Sequence, residues 1–207
     1  MRINTAVPVS LLRLPRRWLA RLRPYRPIET TRSQWDVEFA EGRWSYLADL
    51  DEMARYSVIA GYCQQLKPGG RILDVACGQG VLLDRLDRNK FSRYVGIDIS
   101  SSSVSRQSNR TAQADFLVAD VSAYVPRALP WDVIVFNECL YYFTDPLGVT
   151  GRYRAILEAG GIFVVSMHLT VETRKMWRAL DAAYAQLDAV TVTHGSQVSW
   201  IVKVYRP

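Results

Sequence analysis

The chain has 207 residues, of which 49% are apolar, and a formal net charge of +6. This length supports one substantial core, because domains commonly have about 100–200 residues. No apolar stretch approaches the roughly 20 uninterrupted residues of a membrane-spanning helix. Three widely spaced cysteines argue against a disulfide framework and a closed zinc site, so we expect a soluble protein of the reducing cytoplasm.

Residues 1–30 are predicted to form a basic tail that is separate from the folded domain. The first 27 residues contain seven arginines and no acid, which leaves 26 − 7 = 19 basic against 20 acidic residues in the rest of the chain. Leucines and Trp18 alternate with these arginines, so a loosely packed tail and peripheral contact with an anionic membrane are the two main interpretations, and a cleaved targeting peptide is the third. The nearly neutral body makes nucleic acid an unexpected partner.

Residues 31–207 are predicted to form a single domain, which begins with a helical lid over residues 31–68. Aromatic and aliphatic side chains recur there at three- and four-residue spacing, which predicts one or two helices. Such a stripe usually packs into a core. Its position directly before a glycine-rich turn also fits a lid over a bound ligand.

Residues 69–207 show the pattern of an α/β core. The predicted strands span residues 71–76, 94–98, 116–119, 132–137, 162–167, 189–194 and 198–205. The first five are separated by segments of helical length, which predicts parallel strands in a Rossmann-like, doubly wound sheet. Only three residues separate the last two, which predicts an antiparallel hairpin at the sheet edge.

A Gly-x-Gly turn, Gly78-Gln79-Gly80, follows the first strand and precedes a predicted helix start. Glycines in this position let the backbone pass close to a ligand. Asp98 closes the second strand and Asp120 follows the third. Because the carboxyl ends of parallel strands meet at one edge of the sheet, these acids and Asp74 are predicted to face one crevice.

A dinucleotide is the first ligand to consider for such a crevice. However, Leu83 replaces the third glycine of the dinucleotide-binding pattern, and the carboxylate of Asp74 would repel a pyrophosphate. An anion suits the cationic amino-acid part of S-adenosylmethionine better.

Five motifs together resemble the class I S-adenosylmethionine-dependent methyltransferases, over roughly residues 35–207. They are Leu73-Asp74-Val75-Ala76-Cys77-Gly78-Gln79-Gly80, Gly96-Ile97-Asp98-Ile99-Ser100, Ala119-Asp120-Val121, Trp131-Asp132-Val133-Ile134-Val135-Phe136-Asn137-Glu138 and Leu157-Glu158-Ala159-Gly160-Gly161. The resemblance implies a seven-stranded sheet whose last strand is antiparallel. It also implies S-adenosylmethionine as cofactor and S-adenosylhomocysteine as product.

The same resemblance implies roles for individual residues. The methionine part would lie against Asp74, Ala76, Gly78 and Gly80, the ribose against Asp98, the adenine against Ile99, Asp120 and Val121, and the sulfonium side against Asn137. Ala76 departs from the commoner glycine of the family, which is a small change that should not block binding.

A weaker resemblance links the segments around Trp35, Trp44 and Arg55 to the nodulation-type methyltransferases. It implies a saccharide or a related biosynthetic intermediate as acceptor, which is the class that members of this subgroup modify. Aromatic side chains also favour the apolar faces of sugar rings. Trp44 would cap the cofactor or line the acceptor. Arg55 would pair with the methionine carboxylate, with a surface salt bridge as the alternative.

Methyl transfer requires alignment of the acceptor and removal of a proton. The candidate catalytic residues are His168, after the fifth strand, and Glu138, beside the sulfonium position. No His/Asp cluster has convincing ligand spacing, so we expect no metal. The expected function is transfer to an oxygen or nitrogen atom of a small molecule. A nucleic-acid methyltransferase and a non-catalytic cofactor-binding partner of another enzyme stay open as alternatives.

Overall fold

The computed structural model describes residues 31–107, 111–123, 130–195 and 198–207. The predicted basic tail lies outside these residues. Within them, no helix combines the length and the apolar character that crossing a bilayer requires.

Two helices precede the sheet, as the periodicity predicts. Helix α1 spans Arg32–Ala40, and the side chain of Gln34 caps its first turn by accepting a hydrogen bond from the backbone N–H of Thr31 at 2.8 Å. A 3₁₀ turn, Ser45–Ala48, leads to helix α2, Leu50–Leu66. Helix α2 ends directly before Lys67-Pro68-Gly69-Gly70, where the proline and the two glycines disfavour a further helical turn.

Seven strands and three further helices follow helix α2 along the chain. The strands are β1 Gly70–Val75, β2 Phe91–Asp98, β3 Ala114–Val118, β4 Trp131–Asn137, β5 Leu157–His168, β6 Ala185–His194 and β7 Val198–Arg206. The helices are α3 Ser101–Val104, α4 Pro146–Arg154 and α5 Val171–Ala183. Each predicted strand is present, and the observed ends differ from the predicted ones by up to five residues.

The strands form one sheet in the order β3-β2-β1-β4-β5-β7-β6. Neighbouring strands from β3 to β5 are parallel, whereas β7 is antiparallel to both β5 and β6. The strand order reverses between β1 and β4, which is where open α/β sheets bind their ligands. This topology confirms the predicted Rossmann-like sheet with its C-terminal hairpin.

Side chains that alternate along the strands fill two cores, one on each face of the sheet. Ile72 packs on the face that α2 covers, together with Ile59. Leu73 packs on the opposite face with Trp177 of α5. The central strands are therefore mostly apolar, because both of their faces are buried, and Asp74 is a buried exception in β1.

The predicted helix after the Gly-x-Gly turn is wrong. The segment between β1 and β2 contains only two 3₁₀ turns, Leu83–Arg85 and Arg88–Lys90. Asp87 accepts a hydrogen bond from the backbone N–H of Asn89, which begins the second turn. The backbone therefore turns again where an α-helix would have to continue.

Candidate functional site

A cavity of about 930 Å³ opens at the carboxyl ends of the parallel strands. Helix α1, the Ser45–Ala48 turn and the first turns of α2 cover one side of it. With one exception, the residues that the sequence predicts for the site line this cavity: Trp44, Arg55, Asp74, Ala76, Gly78, Asp98, Ile99, Asp120, Val121, Asn137, Glu138 and His168. The exception is Gly80, which is buried below the turn and adopts a φ of 67°.

The turn after β1 holds the carboxylate of Asp98 in a fixed orientation. One oxygen of Asp98 accepts from the backbone N–H of Gly78 at 2.8 Å, and the other accepts from that of Ser100 at 2.8 Å. Gly78 has a φ of 53°, a conformation that favours glycine. Each carboxylate oxygen keeps lone pairs for a further donor, and this is what two neighbouring ligand hydroxyls would require.

Asp74 lies near the end of β1, on the face that α2 covers, and is almost completely buried. Its carboxylate accepts a hydrogen bond from the hydroxyl of Tyr94 at 2.6 Å. Burial raises the pKa of Asp74 to about 7, the hydrogen bond from Tyr94 opposes this rise, and the nearby Asp98 adds to it. A cation that entered the cavity at this point would relieve the penalty on the ionised carboxylate.

Asp120 lies at the other end of the cavity and is exposed. Its carboxylate accepts from the backbone N–H and from the hydroxyl of Ser122, at 2.8 and 2.6 Å. Ile99 and Val121 line the same cavity as Asp120 and Asp98. The structure thus places two apolar side chains and two acids around the end of the cavity that the resemblance assigns to adenosine.

Arg55 is buried beneath the cavity, with a relative exposure of 1%. Its guanidinium donates to Glu52 at 2.8 Å and to the side-chain oxygen of Asn137. The alternative of a surface salt bridge is therefore wrong. Burial disfavours the charged form, but Tyr56, Glu138 and Glu52 outweigh it and raise the pKa of Arg55 above its usual range. The Nε of Arg55 has no hydrogen-bond partner among the described residues.

Aromatic rings form the wall that α1 and the following turn contribute. Trp35 contacts Trp44 at a ring distance of 5.6 Å and Tyr142 edge-on at 5.1 Å. Tyr46 lies 6.0 Å from Trp44, whose indole N–H donates to Glu38 at 3.1 Å. This wall is built of aromatic rings tilted against one another, and such rings suit a planar ligand ring or the apolar face of a sugar.

Glu138 and His168 lie together across the cavity from α1. Nδ1 of His168 is 3.0 Å from a carboxylate oxygen of Glu138, and the imidazole stacks on Trp200 at 5.1 Å. Glu138 adopts a φ of 56°, which is uncommon for a non-glycine residue. The structure therefore brings the two predicted catalytic residues into direct contact, which their spacing in the sequence does not reveal.

Four contributors to the site were missed at the level of sequence. Tyr94 and Ser166 had a usable signal, since each is a hydroxyl residue within a predicted strand, and they bond Asp74 and Glu138. Glu52 also had one, because it lies one helical turn before Arg55 and pairs with it. Trp200 is far in sequence from His168, which stacks on it, so only the fold places Trp200.

No group of three or more His, Cys, Asp or Glu side chains within the described ranges has the arrangement of a metal site. Asp145, which also lines the cavity, caps α4 by accepting from the backbone N–H of Gly148 at 2.8 Å.

A family model described as a methyltransferase domain matches residues 39–203. Among curated proteins, the ubiquinone biosynthesis O-methyltransferase of a Bradyrhizobium species is 29% identical over 102 residues, which are 47% of this chain and 40% of that protein. The chain spans about half the length of the curated relatives it matches.

Solved structures share the fold over most of the chain. The N-methyltransferase NodS from Bradyrhizobium japonicum, in complex with S-adenosyl-L-homocysteine, aligns with a TM-score of 0.71 and 18% identity over 86% of this chain and 98% of its own. The 1,6-didemethyltoxoflavin-N1-methyltransferase of Burkholderia thailandensis, with bound 1,6-didemethyltoxoflavin and S-adenosylhomocysteine, aligns with a TM-score of 0.70 and 18% identity over 98% and 92%. At these identities the likeness concerns the fold.

Proposed function

Because this chain belongs to the class I S-adenosylmethionine-dependent methyltransferases, we propose that it methylates an oxygen or nitrogen atom of a small molecule. The acceptor we propose is a saccharide or a secondary-metabolite intermediate. One observation carries this proposal. A single cavity joins an acidic wall suited to the cofactor, an aromatic wall suited to a ring-shaped acceptor, and the contacting pair Glu138 and His168.

The residues of the cavity fit S-adenosylmethionine. Arg55 offers a buried Nε that lacks a partner, which suits the carboxylate of the methionine part. Asp74 offers a buried carboxylate to the ammonium group. Asp98 offers its remaining lone pairs to the ribose hydroxyls, and its orientation is fixed before any ligand arrives.

When bound, the cofactor supplies a methyl group on a sulfonium, which an acceptor atom displaces in line. The chain's own contribution is position and exclusion of water. Asn137 is held against Arg55 at the end of β4, beside the acidic wall. Trp35, Trp44 and Tyr142 would press the acceptor toward that point and cover it from solvent.

Two neighbours support a small acceptor by analogy. The toxoflavin methyltransferase carries its small-molecule acceptor in the crystal, and the relative from Bradyrhizobium is named for ubiquinone biosynthesis. The aromatic wall of this chain is consistent with acceptors of that size. The proposed acceptor atom is either an oxygen or a nitrogen.

Calorimetric titration tests the cofactor site directly. Wild-type protein is titrated with S-adenosylmethionine and S-adenosylhomocysteine, beside the variants Asp98→Ala and Asp115→Ala. Asp115 is the matched control, because it is an acid on β3 that pairs with Arg93 outside the cavity. We expect Asp98→Ala to lose binding and Asp115→Ala to keep it.

An acceptor screen then tests turnover, with amino sugars, neutral sugars and phenols and with S-adenosylhomocysteine formation as readout. Cofactor binding without turnover on any acceptor would favour a non-catalytic partner protein. Methylation of DNA or RNA alone would favour a nucleic-acid enzyme. No binding of either cofactor form to wild-type protein would refute the proposed site.

A further inference from the structure

The carboxylate of Glu138 is held by four donors. One oxygen accepts from the hydroxyl of Ser166 at 3.1 Å. The other accepts from the hydroxyl of Tyr141 at 3.0 Å and from the backbone N–H of His168 at 3.2 Å, and it also lies 3.0 Å from Nδ1 of His168. The carboxylate therefore cannot turn away from the imidazole without losing several hydrogen bonds.

Glu138 is ionised at neutral pH in this environment. Burial favours its neutral form, but the hydrogen bond from His168, the charge that His168 carries when its ring is protonated, the charge of Arg55 and the hydroxyl of Tyr141 outweigh burial and hold the pKa of Glu138 below its usual value. An ionised carboxylate only accepts hydrogen bonds. Nδ1 of His168 must therefore carry the hydrogen that lies between the two groups.

The other ring nitrogen of His168 is left as an acceptor. In a neutral imidazole only one nitrogen carries hydrogen, so Nε2 has a lone pair. No described residue hydrogen-bonds to Nε2, and 41% of the His168 side chain is exposed. Nδ1 faces the buried Glu138 and Trp200 lies against one face of the ring, so Nε2 lies on the ring edge remote from Glu138. His168 lines the cavity.

Glu138 itself is a poor base. Its oxygens already accept four hydrogen bonds, and a carboxylate with a lowered pKa binds a proton weakly. Glu138 can still orient the imidazole of His168 through the contact with Nδ1. A buried carboxylate on Nδ1 holds a histidine in one tautomer and one ring orientation in the catalytic triads of hydrolases.

We propose that Nε2 of His168 is the base that removes the proton of the acceptor, and that Glu138 is a positioning residue that acts through His168. This inference rests on the proposed function. As the acceptor oxygen or nitrogen bonds to the methyl carbon, the carbon–sulfur bond breaks and its electron pair stays on the sulfur of S-adenosylhomocysteine. The proton of the acceptor goes to Nε2 and then to solvent.

The assignment narrows the class of acceptor. An acceptor atom with an O–H or N–H bond gains from His168, because it has a proton to lose. A tertiary amine or a thioether has none and gains nothing. Hydroxyl compounds and primary or secondary amines are therefore the expected acceptors.

The tautomer of His168 provides a test that does not depend on turnover. The chain contains two histidines, so long-range proton–nitrogen NMR spectra of the imidazole rings are simple, and His194→Gln assigns them. Nε2 of His194 lies 3.2 Å from Asp51, which makes His194 an internal comparison of the opposite tautomer. Above the pH of imidazole titration, we expect hydrogen on Nδ1 of His168 and on Nε2 of His194.

Substitution of Glu138 should change only one of these signals. In Glu138→Ala, whose side chain offers no acceptor, we expect His168 to populate the form with hydrogen on Nε2, whereas His194 stays unchanged. Glu138→Asp keeps an anionic acceptor and should retain hydrogen on Nδ1. Wild-type protein with hydrogen on Nε2 of His168, or the same His168 signals in wild type and Glu138→Ala, would overturn the positioning role. The wild-type spectrum suffices for this if Glu138→Ala does not fold.

Kinetics test the base. His168→Gln and Glu138→Gln should each lower kcat by about 100-fold or more, while the KM for S-adenosylmethionine changes little. The double variant should be scarcely worse than either single one, because the two residues act as a unit. His194→Gln should keep the wild-type kcat. A wild-type kcat in His168→Gln would overturn the base assignment, whereas absence of cofactor binding in wild type would refute the proposed function and leave the tautomer result standing.

Discussion

The buried carboxyl of Asp74 makes folding stability depend on pH in an unusual direction. Most carboxyls that are paired in a native protein stabilise it as pH rises. Burial of Asp74 does the opposite, because it raises the pKa from the ordinary 3.8 to about 7. Between these two values the folded protein keeps a proton that the unfolded chain has released.

The magnitude follows from this difference in pKa. Each unit corresponds to about 1.36 kcal/mol, so a rise of 7 − 3.8 units lowers the free energy of unfolding by about 4 kcal/mol at pH values above 7. Below pH 3.8 both states are protonated and the penalty disappears. Stability that Asp74 contributes as a neutral acid is therefore lost as pH rises through about 7.

Asp74→Asn isolates this effect. The asparagine oxygen can still accept the hydrogen bond from Tyr94, but the side chain no longer ionises. We expect the free energy of unfolding of Asp74→Asn to exceed that of wild type, and the excess should grow by about 2–3 kcal/mol between pH 5 and pH 8. Urea unfolding at a series of pH values measures it, with Asp115→Asn as an exposed control.

An excess that stays constant across this pH range would refute the reasoning. The stabilised variant should nevertheless bind S-adenosylmethionine less tightly, because it lacks the anion proposed to face the ammonium group. Gain of stability with loss of affinity is the usual trade-off at a functional site.

Three further predictions concern other parts of the chain. The carboxylate of Asp36 accepts from the backbone N–H of Ser102 at 3.0 Å and ties α1 to the start of α3. Asp36→Ala should therefore speed amide hydrogen exchange in residues 32–40 by roughly 10-fold. Unchanged exchange would contradict this. Glu52→Gln leaves the buried guanidinium of Arg55 without its nearest counter-charge, and it should lower the free energy of unfolding by about 3–5 kcal/mol. Urea unfolding measures this change. A loss below about 1 kcal/mol would show that the pair is weakly coupled. Deletion of residues 1–27 should abolish sedimentation with anionic vesicles and leave cofactor binding intact, and sedimentation that persists would refute a membrane role for the basic tail.

The positions of the strands along the chain and of the acids that follow them could be predicted from the sequence because both are local signals. Apolar runs such as residues 132–137 are readable since both of their faces are buried, and Asp98 and Asp120 follow their strands directly. The carboxyl ends of parallel strands must meet at one edge, so the crevice follows from the pattern. The prediction of a helix after Gly80 was wrong, because two short 3₁₀ turns replace the helix. The turn that Asp87 begins overrides the helical spacing of the apolar residues.

What the sequence by itself determined is thus the sheet, the edge that carries the site, and the acids along it. Only the tertiary structure decided how distant side chains combine. Glu138 meets His168 because β4 and β5 are neighbours with Asn137 opposite Ser166, and Arg55 meets Asn137 because α2 packs across the sheet. Such contacts depend on the register of the strands and on helix packing, which arise from the shape of the whole core rather than from any local pattern.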